Sequence, residues 1–233
     1  IDRSRGLGDV YKRQSQMSGL YYYEDFMLDA MRADSLADLM EHIAENPLEF
    51  EPGQAYLNGL GQDVLGRVIE VVSGYSLPEF FQKYIFDPLE MNQTRFFLTS
   101  REKKLVLPLF VKNQNIEGFN ETGITGINDL ISYDKNYKSA LGSLGLISSV
   151  KDYSNFCSML LNKGKFKAER IISTQSISEL KVKLEDGLCS SDLDFRGVYN
   201  GLGVYVLDDP FLMDFKAPKG IYGQGGLQGT EFF

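Results

Sequence analysis

The chain has 233 residues, 43% hydrophobic, 12% aromatic and 24% charged, a composition that folds around a sizeable core rather than staying disordered. A net charge of −8 disfavours a nucleic-acid partner, because phosphate binding needs a basic patch. No apolar run reaches bilayer length, two cysteines (Cys157 and Cys189) are too few for a disulfide framework, and the single histidine, His42, excludes a multi-histidine metal site.

The first fourteen residues, Ile1 to Gln14, have no sustained period and no apolar stretch, so they read as neither signal nor transit peptide. They look like translated sequencing-adaptor sequence of the kind left at the ends of assembled environmental reads. Residues 15–233 are read as one domain. An aromatic cluster, Tyr21-Tyr22-Tyr23, precedes a helix expected over about Ser35–Glu45, with His42 on its surface. Pro47 and Pro52-Gly53 break that helix. From Asp63 the apolar positions Val64, Leu65, Val68, Ile69 and Val72 recur at helical spacing, with Gly74 as the C-terminal stop. The spacing predicts a second helix over Leu77–Phe86, closed by Asp87-Pro88. The stretch from Thr99 to Lys138 is polar and shows no clear period.

Ser149-Val150-Lys151-Asp152 fits a capping box with Asp in place of Glu. The stripe Tyr153, Phe156, Cys157, Leu160 and Leu161 then marks a helix ending at Lys163-Gly164, with Cys157 expected in the core. Val198–Leu207 and Gly220–Phe233 are glycine-punctuated and strand-like. Helices to about residue 190 and strands from about 196 predict an α+β protein with a helical subdomain. Glu231-Phe232-Phe233 falls inside an aromatic strand-like run, so the domain is expected to be incomplete at both ends.

Five blocks line up in order with one family. Ser18-Gly19-Leu20 resembles the end of an "HTSGL" block. Glu51-Pro52-Gly53 followed by Asp63-Val64-Leu65-Gly66 and Val72-Ser73-Gly74 resembles the stretch around that family's second catalytic motif. Pro88-Leu89-Glu90-Met91-Asn92-Gln93-Thr94 is similar to a "PLGMxxT" block. Leu144 to Ser149, with Asp152-Tyr153 and Met159-Leu160-Leu161-Asn162, is similar to "GGLvST…DY…MLLN". Gly223 to Thr230 is similar to a "WGGxxGT" ending. On these blocks the chain resembles the serine β-lactamase-like and penicillin-binding-protein-like hydrolases, which include esterases and D,D-peptidases. The resemblance implies an α/β sandwich with a helical subdomain, a site between the two, no metal or cofactor, and a small-molecule or peptide substrate. It also implies a periplasmic or secreted location if the parent protein carries a signal peptide.

In the family a serine, activated by a lysine one helical turn later, attacks a carbonyl. That S-x-x-K pair lies upstream of the "HTSGL" block, so the nucleophile is expected outside this chain. Four S-x-x-K strings do occur, Ser100/Lys103, Ser132/Lys135, Ser148/Lys151 and Ser178/Lys181, and none sits where the family puts its nucleophile. The second motif supplies a tyrosine that exchanges protons beside the serine. Two registers compete for it. Tyr56-Leu57-Asn58 reads directly as Tyr-x-Asn, whereas an ungapped count puts Asn58 at the tyrosine position. Asparagine can donate hydrogen bonds but cannot exchange protons as a phenol does. The third motif is a strand whose backbone helps build an oxyanion hole, and Gln224-Gly225-Gly226 is matched to it. Gln224 stands where other members carry Lys, His or Trp, so a substrate lacking a carboxylate is expected over penicillin. A non-catalytic member that binds a cell-wall-like or other small ligand is the alternative.

Overall fold

The computed structural model describes residues 13–112, 118–122, 139–183, 197–212, 216–226 and 230–233. Helix α1 (Phe26–Arg32) leads into α2 (Leu36–Ala44), where Ser35 accepts the Asp38 N–H at 3.1 Å and so satisfies one orphan donor of the first turn. α2 buries Leu36, Leu39 and Ile43 along one stripe. The next expected helix forms as α3 (Gly61–Ser73). It stops at Gly74, whose φ of 74° lets its N–H reach the Glu70 carbonyl at 2.9 Å.

Helix α4 (Leu77–Phe81) opens on a complete Ser76–Glu79 capping box. The single regular helix expected over Leu77–Phe86 is interrupted, because Gln82–Phe86 forms a π-turn in which the Asp87 N–H donates to the Gln82 carbonyl. Aromatic packing accounts for the difference. In a regular α-helix residues five apart point about 140° away from each other, but a π-turn brings them to one side. Here Phe81 meets Phe86 with ring centroids 5.8 Å apart, and both lie against the core.

The stretch without readable period contains a one-turn helix, α5 (Ser100–Lys103), and an antiparallel hairpin of β1 (Leu109–Lys112) and β2 (Phe119–Thr122). Residues 123–138 lie outside the described residues. Helix α6 (Val150–Leu161) follows as expected, then the short hairpin β3 (Lys165–Phe166) and β4 (Glu169–Arg170), and α7 (Thr174–Leu180). The C-terminal strand-like runs resolve into β5 (Val198–Asn200), β6 (Tyr205–Leu207), β7 (Tyr222–Gly225) and β8 (Glu231–Phe232). They form one antiparallel sheet in that order. Phe26, Leu39, Leu77, Leu89 and Met159 sit in the core, with Tyr222 and Phe232 of the sheet packed on it. Among the described residues no helix is long and apolar enough to cross a membrane.

Two buried aspartates join distant parts of the chain. Asp63, fully buried on α3, accepts the N–H groups of Gly142 (2.9 Å) and Ser143 (3.2 Å) on one carboxyl oxygen. The backbones approach so closely there that a Cβ at Gly142 would lie 2.2 Å from the Gln62 carbonyl oxygen. The other carboxyl oxygen has no hydrogen-bond partner. Asp152, 2% exposed, takes the Gln93 N–H and the Thr94 hydroxyl in the same way.

Burial pushes the Asp63 carboxyl up to about 6, and contacts from Ser143 and Gly142 offset only part of that rise. A raised carboxyl means that the folded state holds this proton at pH values where the unfolded chain has released it. Stability from this group is therefore greatest below the unfolded value of 3.8, falls as pH rises to about 6, and is level above. The span corresponds to about 3 kcal/mol. Denaturant unfolding from pH 4 to 7 should show Asp63→Asn losing this component of the slope while keeping an oxygen acceptor for Gly142 and Ser143. Parallel stability curves for the two proteins would refute the assignment.

Candidate active site

The segment Leu146–Val150 is fixed before α6 begins. Arg95 and Ile147 exchange backbone hydrogen bonds at 2.9 and 3.0 Å, an isolated antiparallel bridge. One residue further on, the Ser148 hydroxyl lies 2.7 Å from that of Thr94, which in turn donates to Asp152 at 2.9 Å. The expected capping box at this helix start is only half made. Ser149 accepts the Asp152 N–H at 3.2 Å, but the Asp152 carboxylate turns to Gln93 and Thr94 instead of back to Ser149. The reason is burial. At 2% exposure the carboxylate must find partners from the packed neighbour, and two donors there satisfy it better than one at the helix end.

Between this segment and the β7–β8 edge lies a cleft of ≈ 670 Å³, large enough for a small acyl compound. Ser148, Tyr153 and Cys157 face Gln224, Gly225 and Gly226 across it. Ser148, Ser149 and Thr230 also line a second hollow that reaches Leu105–Pro108. No lysine, arginine or histidine among the described residues lines the first hollow. In the second, Arg95 is paired with Glu102 and donates to the Asn92 carbonyl. Among the described residues no cluster of three His, Cys, Asp or Glu side chains could hold a metal ion.

The Gln224 side chain is held between its own strand and the β5–β6 turn. Its Oε1 accepts the Gly225 N–H at 3.0 Å and its Nε2 donates to the Gly203 carbonyl at 3.4 Å. The Gly226 N–H donates to the Thr230 carbonyl at 2.7 Å. The glycines have different reasons to be there. A Cβ at Gly223 would lie 1.9 Å from the Phe232 carbonyl oxygen, so β8 can pair only with a bare backbone. A Cβ at Gly225 would meet nothing closer than Glu231 at 3.8 Å. Packing therefore does not require glycine at Gly225, which is the one facing the cleft with open space.

The other candidates are elsewhere. Tyr56 is half-buried and Asn58 exposed, and neither lines the cleft. Their stretch is held against the "SGL" block, with the N–H groups of Gly53, Leu57 and Leu60 donating to Met17, Gln16 and Leu20. Cys157, expected in the core, is half-buried on the cleft side of α6, and burial pushes its thiol up, which disfavours a thiolate nucleophile. The Ser148 hydroxyl is engaged by Thr94, and the Ser178 hydroxyl donates to the Thr174 carbonyl while Lys181 lies over the Tyr222 ring. Ser100 and Lys103 bound the one-turn α5, and Ser132/Lys135 lies outside the described residues. Thr94 and Asp152 had signals in the sequence, the "PLGMxxT" and "DY" blocks, but nothing local shows that the two meet.

This is the architecture of a β-lactamase and penicillin-binding-protein fold, with a helical part packed on an antiparallel sheet and a cleft at their junction. The beta-lactamase family model matches residues 15–233, and the chain belongs to that family. Over 64 residues, 28% of this chain, it is 45% identical to a lovastatin esterase of Penicillium rubens, a match spanning 16% of that protein. Among solved structures it is similar to EstCE1, a hydrolase with promiscuous acyltransferase activity (19% identity, 98% of this chain, 67% of the other, TM-score 0.69). It is also similar to a D-stereospecific amidohydrolase from Streptomyces (20% identity, 95% of this chain, 61% of the other, TM-score 0.61). These likenesses show the fold.

Gly225→Ala should shift unfolding free energy by less than about 0.5 kcal/mol, as an open surface position does. Gly223→Ala should cost about 1–3 kcal/mol by forcing β7 from β8. Chemical denaturation of both variants checks this, and equal losses would show that Gly225 is also held by packing.

Proposed function

We propose that the protein from which this chain comes is a serine hydrolase that cleaves an ester or amide through an acyl-enzyme, with the Ser148–Gly226 cleft as its acyl-binding site. The observation that carries this reading is the cleft itself. It sets the Gln224-Gly225-Gly226 strand, with open space over Gly225, against the Leu146–Val150 segment in a beta-lactamase family fold. The absence of any cation in its described lining favours a substrate without a carboxylate. An esterase, a hydrolase with promiscuous acyltransferase activity and an amidohydrolase among the similar proteins accord with an ester or amide substrate.

Within this reading the nucleophile is supplied by residues outside this sequence. Its support is that Ser148 and Ser178, the serines of two of the three described S-x-x-K strings, spend their hydroxyls on Thr94 and on the Thr174 carbonyl. The Gly225 and Gly226 N–H groups are likewise engaged, so an oxyanion donor on this strand requires Gln224 to swing away or another N–H to serve. A second reading, a non-catalytic ligand-binding member, is favoured by the exposed Asn58 if that residue holds the tyrosine position.

The chain of 233 residues should form no adduct with a fluorescent penicillin or a fluorophosphonate that survives a denaturing gel. The longer parent protein should label with the fluorophosphonate. Labelling of the chain would place the nucleophile inside it, and an unlabelled parent would favour the non-catalytic reading.

A further inference from the structure

Ser148 is exposed in the cleft, yet its hydroxyl has little freedom. Behind it stand Thr94 and Asp152, each 2% exposed. One Asp152 oxygen accepts the Gln93 N–H at 2.6 Å and the Thr94 O–H at 2.9 Å. A hydroxyl carries one proton, so Thr94 has none left for Ser148. The 2.7 Å contact between the two hydroxyls is therefore donated by Ser148. Its other possible acceptor, the Ser149 carbonyl at 3.4 Å, is longer and would consume the same proton. In both arrangements the Ser148 proton is spent on the protein, and its oxygen meets the cleft with lone pairs alone.

We propose that Ser148 is a specificity-determining residue that accepts a hydrogen bond from an N–H or O–H of the compound bound against Gln224–Gly226. Thr94 and Asp152 are positioning residues that fix the direction of its hydroxyl. This rests on the cleft being the substrate site and deepens that reading, since it narrows the substrate to esters or amides whose acyl part carries a hydrogen-bond donor. An acyl group that instead presents a carbonyl to Ser148 would find no proton there.

The test is an NMR titration of the ¹⁵N-labelled chain with N-acetyl-D-alanine methyl ester and with its N-methylated counterpart, which lacks the N–H. The unsubstituted ester should bind about threefold to tenfold more tightly, the worth of one net hydrogen bond. Ser148→Ala, at an exposed position, should bring the two affinities together by weakening only the N–H ester. Thr94→Ser should keep the preference, and Thr94→Val, which leaves only the 3.4 Å acceptor, should reduce it. Equal affinities in the unaltered chain, with both probes shifting the Gln224–Gly226 amides, would overturn the role of Ser148 and leave the site standing. A preference that survives in Ser148→Ala would overturn it too. If neither probe shifts those amides, the cleft reading falls and takes this inference with it.

Discussion

The arrangement of this molecule depends on two carboxylates placed where water does not reach. A buried carboxyl must be met by donors, and each of these is met by backbone from a far part of the chain. Asp63 holds Gly142 and Ser143, 79 and 80 positions away, and Asp152 holds Gln93, 59 positions away. The first attachment sets the Ala140–Leu146 stretch on α3, and the second sets the start of α6 on the segment after the π-turn. Between them runs the Arg95–Ile147 bridge. The strip from Ala140 to Asp152 is thus tied at both ends and in the middle, which is why it can serve as a rigid wall of the cleft. The two attachments differ in completeness. Asp152 gives one oxygen to two close donors, whereas Asp63 leaves an oxygen unmet and so carries the larger desolvation burden.

The same contacts give physical content to the ordered blocks by which the family is legible. The threonine that ends the Pro88–Thr94 block and the aspartate of the Asp152-Tyr153 block are two ends of one hydrogen-bond chain, with Ser148 between them and the cleft. The aspartate of Asp63-Val64-Leu65-Gly66 and the glycine at Gly142 are likewise a contact pair that would be spoiled by a side chain at Gly142. Blocks far apart in sequence therefore touch in the fold, and the Thr94–Ser148 contact borders the cleft.

The opposite wall is built on different terms. β7 is a short strand between β6 and β8, and its glycines serve strand pairing at Gly223 and openness at Gly225. The Gln224 amide is held on both sides, its Oε1 by the N–H of Gly225 and its Nε2 by the Gly203 carbonyl. The result is a cleft whose described lining carries hydroxyls, amides and one carboxylate, Glu231, and no cation. On the reading proposed above, hydrogen-bond direction at the Ser148–Thr94–Asp152 chain is what adds selectivity to this surface.

Sequence by itself determined the helices α2, α3 and α6, because their apolar stripes, caps and glycine stops are all local signals. It determined the α+β class and the family as well, since block order survives without knowledge of contacts. It could not show the π-turn at Gln82–Phe86, which exists because two phenylalanines five apart both seek the core. Nor could it show that Asp152 leaves its half of the capping box for Thr94, or that Cys157 edges the cleft instead of filling the core. The last two outcomes depend on which groups lie opposite one another across 50 or more residues, and such long-range pairing leaves no period in the chain. Only the folded packing decided them.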